Sequence, residues 1–314
     1  MVTIDILPDD VLLQIFRFYQ VVGPDVPSYQ AQKWRTLVHV CRRWRSIIFA
    51  SPRHLDLRLV CTARTQVKEM LDIWPILPIE VWGFGYALGA SREEGADTII
   101  AALKHNDRVW KIELECFRGS LLERIAVMAK GPFPALTHLR LAAWDETPPV
   151  IPEAFLGGSA PHLRSCSLQG VTFPGIWRLL LTANHLAILL LWRIPHSTLI
   201  TPEAMVLCLS TMPNLEQLWL QFQSPSRPDQ ASRRPPLMPV VLPVVTRLRF
   251  HGDSEYLEDL CSRIDTPLLD DFQFTLFNVP SDTPQIQHFI NRTEMSKTPN
   301  QKPLEYFSWS GTFT

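Results

Sequence analysis

A short apolar motif recurs eight times between residues 109 and 309 of this 314-residue chain. Each copy reads apolar-x-x-apolar-x-apolar, and most copies carry a proline one or two places before the first apolar residue. The closing alternation is typical of a strand with one buried face, because successive strand side chains point to opposite sides. The copies are RVWKIEL, PALTHLRL, PHLRSCSL, NHLAILLL, PNLEQLWL, PVVTRLRF, PLLDDFQF and KPLEYFSW.

The spacing of the copies indicates a repeat architecture. Successive copies begin 23 to 35 residues apart, which is enough for one strand and one helix. The row resembles the leucine-rich-repeat pattern in its longer and less regular form. One strand–helix unit cannot bury its own apolar face, so neighbouring units must stack. We therefore expect residues 53–314 to form a repeat arc, with HLDLRL at 54–59 and LPIEVWGF at 77–84 as two earlier copies of unassigned register.

The segments between copies carry helix signals with one exception. Ser120 and Glu123 have the spacing of a capping box, and Thr201 and Thr283 each precede a proline that suits the first helical position. Residues 223–243 differ, because they hold six prolines and little apolar content. We predict an irregular loop there.

The first fifty residues have a helical pattern. After Pro8, apolar residues recur every three or four positions and surround more of the helix than one buried face requires. VVGPDVPSYQ interrupts this pattern, and a second helix is predicted over AQKWRTLVHVCRRWRSIIF. One apolar face of that second helix would hold Trp34, Leu37, Val38, Cys41, Trp44, Ile47 and Ile48. We assign residues 1–52 to a helical domain.

These residues resemble an F-box. LPDDVLLQIFRFY supplies the opening Leu-Pro followed by an acidic residue and aliphatic residues at helical spacing, and LVHVCRRWRSIIF supplies a Cys three places before a Trp. The resemblance covers about a sixth of the chain, and the spacer VVGPDVPSYQ departs from it. With the repeats behind it, the chain is similar to the F-box/leucine-rich-repeat proteins found in fungi. The expected fold class is α/β: an N-terminal helical F-box followed by an irregular leucine-rich-repeat solenoid, a horseshoe arc of strand–helix units.

The resemblance implies a partner. F-box helices dock on the Skp-type adaptor of cullin–RING ubiquitin ligases, so the chain is expected to be the substrate-recognition subunit of a Skp–cullin–F-box ligase. Two alternatives stay open: a helical cap that only closes the first repeat, and a protein-binding repeat scaffold without a ligase role. Trp44 is equally compatible with the domain core and the interface. The adaptor contacts that the resemblance implies are Leu7, Pro8, Val11, Leu12, Ile15, Phe16, Val38, Cys41 and Trp44.

The repeat motif also predicts which side chains face away from the core. Most of these outward positions are polar, as expected of a solvated sheet face. One cluster on adjacent strands is apolar and is bordered by cationic residues, a composition typical of binding hot spots. An alternative is that the loop at 223–243 covers this cluster. The predicted target-binding residues are Ile188, Leu190, Trp192, Trp219, Arg247, Arg249 and His251.

Composition and motifs exclude several other functions. The net charge of −1 gives no general attraction to nucleic acid or to an anionic membrane, and the longest apolar run is too short to span a bilayer. The acidic start lacks signal-peptide features, so an intracellular protein, cytoplasmic or nuclear, is expected, with its six cysteines reduced. Catalytic and metal-binding motifs are missing, so we expect no enzyme activity and no cofactor.

Overall fold

The structure of the protein is a computed structural model. It describes residues 4–20, 33–65, 67–74, 76–84, 92–195, 200–224, 239–278 and 283–293. Most of the predicted loop at 223–243 and the whole eighth motif copy lie outside these residues. Across the described ranges, none of the helices has both the length and the apolar character that crossing a membrane would take.

Short helices form the N-terminal part of the chain and then alternate with strands. Short 3-10 helices cover Ile4–Ile6 and Phe155–Gly158. The α-helices are α1 (Asp9–Gln20), α2 (Trp34–Val38), α3 (Arg42–Ala50), α4 (Val67–Ile73), α5 (Arg92–Leu103), α6 (Gly119–Met128), α7 (Ile176–Thr182), α8 (Pro202–Leu209), α9 (Ser254–Arg263) and α10 (Pro284–Arg292).

Most strands follow the predicted motif copies. The two-residue strands Val240–Val241 and Ile264–Asp265 do not, and the first of these lies within the loop predicted at 223–243. The strands are β1 (Leu59–Cys61), β2 (Ile79–Phe84), β3 (Val109–Phe117), β4 (His138–Ala143), β5 (Ser165–Gln169), β6 (Ile188–Ile194), β7 (Gln217–Phe222), β8 (Val240–Val241), β9 (Arg247–Gly252), β10 (Ile264–Asp265) and β11 (Asp271–Leu276). Nine of them form one sheet in the order β1-β2-β3-β4-β5-β6-β7-β9-β11, and every pairing is parallel. A small separate parallel pair joins β8 to β10.

The strand order confirms the predicted succession of units. Each strand of the large sheet pairs with the strands of the preceding and following units, which is consistent with a repeat arc. The second degenerate copy corresponds to β2, whereas β1 begins only at Leu59, the last residue of the first copy. The pairing of Leu59 with Ile79 fixes the register of these two strands. In the seven described copies the apolar motif positions are buried, as at Leu139, Leu141 and Leu189, except for the half-buried Phe274. One continuous apolar core runs from α1 to α10.

The predicted second helix is wrong in one respect, because it is two helices. α2 ends at Val38 and α3 begins at Arg42, with Cys41 as its extended N-cap residue. The Cys41 sulfur accepts a hydrogen bond from the Trp44 backbone N–H at 3.5 Å, so it caps the new helix. Cys41 is therefore exposed and does not share a continuous apolar face with Val38.

Several helix ends are capped by a neighbouring unit. The predicted box at Ser120 does not form: Gly119 N–H donates to the Asp145 carboxylate at 2.7 Å, while Glu123 accepts from Val150 N–H at 2.7 Å. The Glu258 carboxylate of α9 similarly accepts from the first N–H groups of α10. The Thr201 cap is confirmed, since its hydroxyl accepts from Ala204 N–H at 3.3 Å.

An aromatic cluster joins the N-terminal helices to the first strand–helix unit. Trp34 of α2 is almost fully buried, and its ring packs edge-on against Trp74, just after α4, at 5.1 Å. Phe49 of α3 contacts both rings. Arg35 lies beside the two tryptophans, 5.8 and 5.7 Å from their ring centroids, and donates to the Met70 sulfur. The N-terminal helices are thus packed onto the first strand–helix unit.

Candidate functional site

An arginine holds the start of α1 against α3. Arg43 donates to the Asp9 carboxylate at 2.7 Å and to the backbone carbonyl of Leu7 at 2.6 Å. Because both acceptors belong to the Leu-Pro-Asp segment, the guanidinium fixes where α1 begins. Pro8 precedes the helix, and its carbonyl accepts the hydrogen bond from Leu12 N–H. The entry into α1 is therefore set by α3.

Helix α1 carries two apolar stripes, and only one of them is buried. Leu12 and Phe16 have exposed fractions of 0% and 1% and belong to the core. Val11, Ile15 and Phe18 are exposed by 37%, 41% and 78%, and their i, i+4, i+7 spacing puts them on one side of the helix. We call Val11, Ile15 and Phe18 the exposed stripe. It is apolar surface of the kind that marks protein interaction sites.

The predicted adaptor contacts fall into three groups in the structure. Leu12, Phe16 and Val38 are buried, so they support the domain core in this conformation. Leu7 and Trp44 are half-buried, and the Trp44 ring lies 4.7 Å from the Phe16 ring. The exposed members are Pro8, Val11, Ile15 and Cys41. In this conformation, only the exposed and half-buried members can contact a partner directly.

Sequence reasoning missed the most exposed member of the stripe. Phe18 was not among the predicted contacts, although it stands three positions after Ile15 and seven after Val11. The helical spacing was therefore available as a signal. Other exposed apolar residues of the N-terminal helices that were also missed are Ile4, Ile6, Tyr19 and Val40.

The open face of the sheet, opposite the core, is charged in its first half. Lys111 of β3 bridges the carboxylate of Glu80 at 2.9 Å and that of Glu113 at 2.8 Å. Burial lowers the Lys111 pKa, but the hydrogen bonds that Lys111 donates to the two carboxylates, together with their negative charges, outweigh burial, and the net pKa is raised. Arg140 of β4 forms an ion pair with Glu115 of β3. These charges largely neutralise one another.

The second half of the open face holds the predicted apolar cluster, and the structure brings its members together. Leu190 of β6 is paired with Trp219 of β7, and the Trp192 ring lies 4.5 Å from the Trp219 ring. All of these side chains are half-buried. We call Ile188, Leu190, Trp192 and Trp219 the aromatic patch. The predicted register places this patch on the sheet face away from the buried Leu189 and Leu191.

Two arginines border the patch on β9. Arg249 is paired with Trp219, and its guanidinium lies 5.1 Å from the Trp219 ring centroid. Arg247 is exposed. We call Arg247 and Arg249 the arginine edge. His251 lies further along β9 with its ring against Phe277 at 4.7 Å, and burial lowers its pKa, so at neutral pH it adds no charge.

The alternative for the aromatic patch was a cover formed by the loop at 223–243. Residues 225–238 of that loop lie outside the described residues. The assignment of these residues to target binding therefore stays a prediction.

Replacing Trp192 and Trp219 by alanine together tests the exposure of the patch. Because both rings are half-buried, we expect the free energy of unfolding to fall by about 2 kcal/mol or less. Leu189→Ala with Leu191→Ala on the same sheet is the matched control, and each buried leucine should cost about 2–5 kcal/mol. Chemical denaturation measures both. Equal losses in the two double variants would show that the tryptophans are core residues.

Among the described residues, no group of three or more His, Cys, Asp or Glu side chains could hold a metal ion. Cys41, Cys61, Cys166, Cys208 and Cys261 are free thiols, and all but Cys41 are buried. Burial raises the pKa of Cys61 to about 12 and that of Cys208 to about 11, so these two thiols are protonated at neutral pH and are poor nucleophiles.

Comparison with known proteins adds one match. The model of the F-box-like family matches residues 4–61, which covers α1 to β1. A comparison with curated proteins gave no match. An F-box-like domain indicates a role in binding the Skp-type adaptor of a ubiquitin ligase. Residues 4–61, with α1 held by Arg43 and its exposed stripe, thus form an F-box-like domain.

Proposed function

We propose that the protein is the substrate-recognition subunit of a Skp–cullin–F-box ubiquitin ligase. The observation that carries the proposal is the F-box-like match at residues 4–61, on a domain whose first helix leaves an apolar stripe exposed. The strand–helix units behind it are proposed to be leucine-rich repeats of the irregular kind found in fungal F-box proteins. The aromatic patch and arginine edge are proposed to bind the target.

The mechanism is positional. The F-box-like domain attaches one end of the chain to the adaptor, and the open sheet face holds the target. Because the N-terminal helices pack onto the repeat units through Trp34, Phe49 and Trp74, the two surfaces keep a defined separation. Holding the target near the ubiquitin-charged enzyme raises its effective concentration there and speeds transfer. The chain itself is proposed to have no catalytic residue.

Charging the exposed stripe tests the adaptor surface. Val11→Asp with Ile15→Asp should weaken binding to a purified Skp-type adaptor at least about ten-fold, because an apolar interface would have to accept two unpaired carboxylates. The fold should persist, since both residues are exposed by over a third. Isothermal titration calorimetry measures the affinity, and circular dichroism checks the fold.

Ile73→Asp with Ile76→Asp is the matched control. These residues are exposed by 70% and 85% near the end of α4, away from the stripe, and their variant should bind the adaptor like the wild type. If the stripe variant also binds like the wild type, the stripe is not the adaptor surface. If the wild-type chain does not bind the adaptor, the chain is a repeat scaffold without a ligase role.

A further inference from the structure

The outward positions around the aromatic patch are unevenly charged. On β5 they are Ser165, Ser167 and Gln169, which are neutral, and on β7 the patch is flanked by Gln217 and Gln221. The arginine edge follows on β9. Among the outward positions from β5 to β11, Asp271 is the only acidic residue. A partner placed on the patch therefore meets an excess of positive charge on its β9 side.

The arginine edge keeps hydrogen-bonding capacity. Arg249 reaches the Asp271 carboxylate at 3.3 Å, which is longer than the 2.7–2.9 Å of a strong charge-assisted bond. The exposed Arg247 guanidinium makes no ion pair within the described ranges. The guanidinium groups therefore have donors left for an acceptor on a partner.

We propose that the aromatic patch and the arginine edge bind an extended segment of a partner protein that carries an aliphatic or aromatic side chain and, two or three residues away, a carboxylate or phosphate group. This proposal rests on the proposed function, since it names the chemistry of the target. The apolar side chain packs on Leu190, Trp192 and Trp219. The anionic group accepts hydrogen bonds from Arg247 and Arg249, for which planar guanidinium groups are well suited.

The register of the sheet sets the spacing. Leu190, Trp219 and Arg249 are paired across three adjacent strands. Strands lie about 4.8 Å apart, so Arg249 is roughly 5 Å from Trp219 and roughly 10 Å from Leu190 along the sheet. An extended chain advances about 3.3 Å per residue. A segment that crosses the strands thus covers the distance from the patch to the arginine edge in roughly two to three residues.

A protein segment fits this surface better than a nucleic acid does. The same open face carries the carboxylates of Glu80, Glu113 and Glu115, next to the cations Lys111 and Arg140. A continuous polyanion that extended over β2 and β3 would meet those carboxylates, and the chain has a net charge of −1. A segment with a single anionic group at one end avoids that repulsion.

Labelled peptides test the proposal on the full chain. Each peptide of about twelve residues carries one leucine and one glutamate, and the glutamate moves one position at a time away from the leucine. Fluorescence anisotropy should show the tightest binding at a separation of two or three residues. Replacing glutamate by glutamine at that separation should weaken binding about ten-fold, and lysine should weaken it further.

Variants assign the effect to the arginine edge. Arg247→Gln with Arg249→Gln should abolish the preference for glutamate over glutamine, so that the two peptides bind this variant with equal affinity. Trp219→Ala should weaken all the peptides. Arg178→Gln, an exposed arginine on α7 on the other side of the sheet, is the matched control and should keep the preference.

A further set of peptides, with phosphoserine in place of glutamate, shows whether the anionic group of the partner is a carboxylate or a phosphate. Binding of phosphoserine and glutamate peptides alike supports an acidic segment, and binding of phosphoserine alone supports a phosphorylated one. The proposal is overturned if neither the glutamate nor the phosphoserine peptide binds more tightly than the glutamine peptide, or if this preference survives in the Arg247→Gln, Arg249→Gln variant. It is also overturned if no peptide binds, or if single-stranded DNA binds more tightly than every peptide. Adaptor binding, measured on the same preparation, separates this failure from a failure of the proposed ligase role.

Discussion

Replacing Trp34 by alanine is expected to lower the free energy of unfolding by about 3–5 kcal/mol. The indole is exposed by only 2% and packs edge-on against Trp74 and Phe49, so its removal leaves a cavity between the N-terminal helices and the first strand–helix unit. The loss should also release Arg35, which lies beside the Trp34 ring. Urea denaturation followed by circular dichroism measures the change.

Trp144→Ala is the control for this prediction, because it removes the same side chain from a surface position. Trp144 is exposed by 52% and contacts Arg193, so its loss should cost about 1 kcal/mol or less. A loss below about 1 kcal/mol for Trp34→Ala would contradict the close packing of the two parts of the chain.

The second large effect is expected at Gly170, between β5 and the next helix. Its φ of +60° is in the left-handed region, and an added Cβ would lie 2.5 Å from the Ala143 carbonyl oxygen. Gly170 N–H also donates to the Trp192 carbonyl at 3.0 Å, so the backbone cannot move without cost. Gly170→Ala should lower the free energy of unfolding by about 3 kcal/mol or more.

Gly158→Ala separates the two causes. Gly158 has a similar φ of +69°, but the nearest atom to its added Cβ, the Glu153 carbonyl oxygen, is 3.9 Å away. This variant should show only the backbone cost of about 1–2 kcal/mol. If the melting temperatures of the two variants fall by the same amount, the structure accommodates the added Cβ next to the Ala143 carbonyl oxygen without a further loss of stability.

The strands of the sheet were predictable because each depends on a local pattern. The motif positions fix which side chains are buried, and a one-residue error would have moved every one of them to the other face. Leu189 and Leu191 are buried while Leu190 is half-exposed, as the motif required. The same logic gave the members of the aromatic patch. Their role in target binding has no such local signal and stays a prediction.

The division of the second helix was not predictable from periodicity. Trp34, Val38, Cys41 and Trp44 recur at helical spacing, yet the backbone leaves the helix at Cys41. Cysteine is not one of the residues that usually cap a helix, so the sequence contained no signal for a helix start at this position. The interunit caps were missed for another reason. Asp145 and Glu258 reach helix ends about 25 residues away in sequence, and no local rule reports such contacts.

The two faces of α1 were resolved only by the structure. Sequence showed an excess of apolar residues, but Leu12 and Val11 are adjacent and equally apolar. Which one is buried depends on where α2 and α3 pack. The position of Arg43 on Asp9 and Leu7 fixes that rotation.

The order of the strands also bears on how the chain reaches its folded state. Every pairing in the large sheet joins residues that are 20 to 31 positions apart in the chain, so none of these pairings requires the closure of a long loop. A parallel sheet is usually slow to form because its partners are distant in sequence. Here each added strand uses the preceding one as its template, and folding can spread from any pair of neighbours toward both ends. Synthesis from the N-terminus presents the F-box-like helices first and supplies the strands in the order in which they pair.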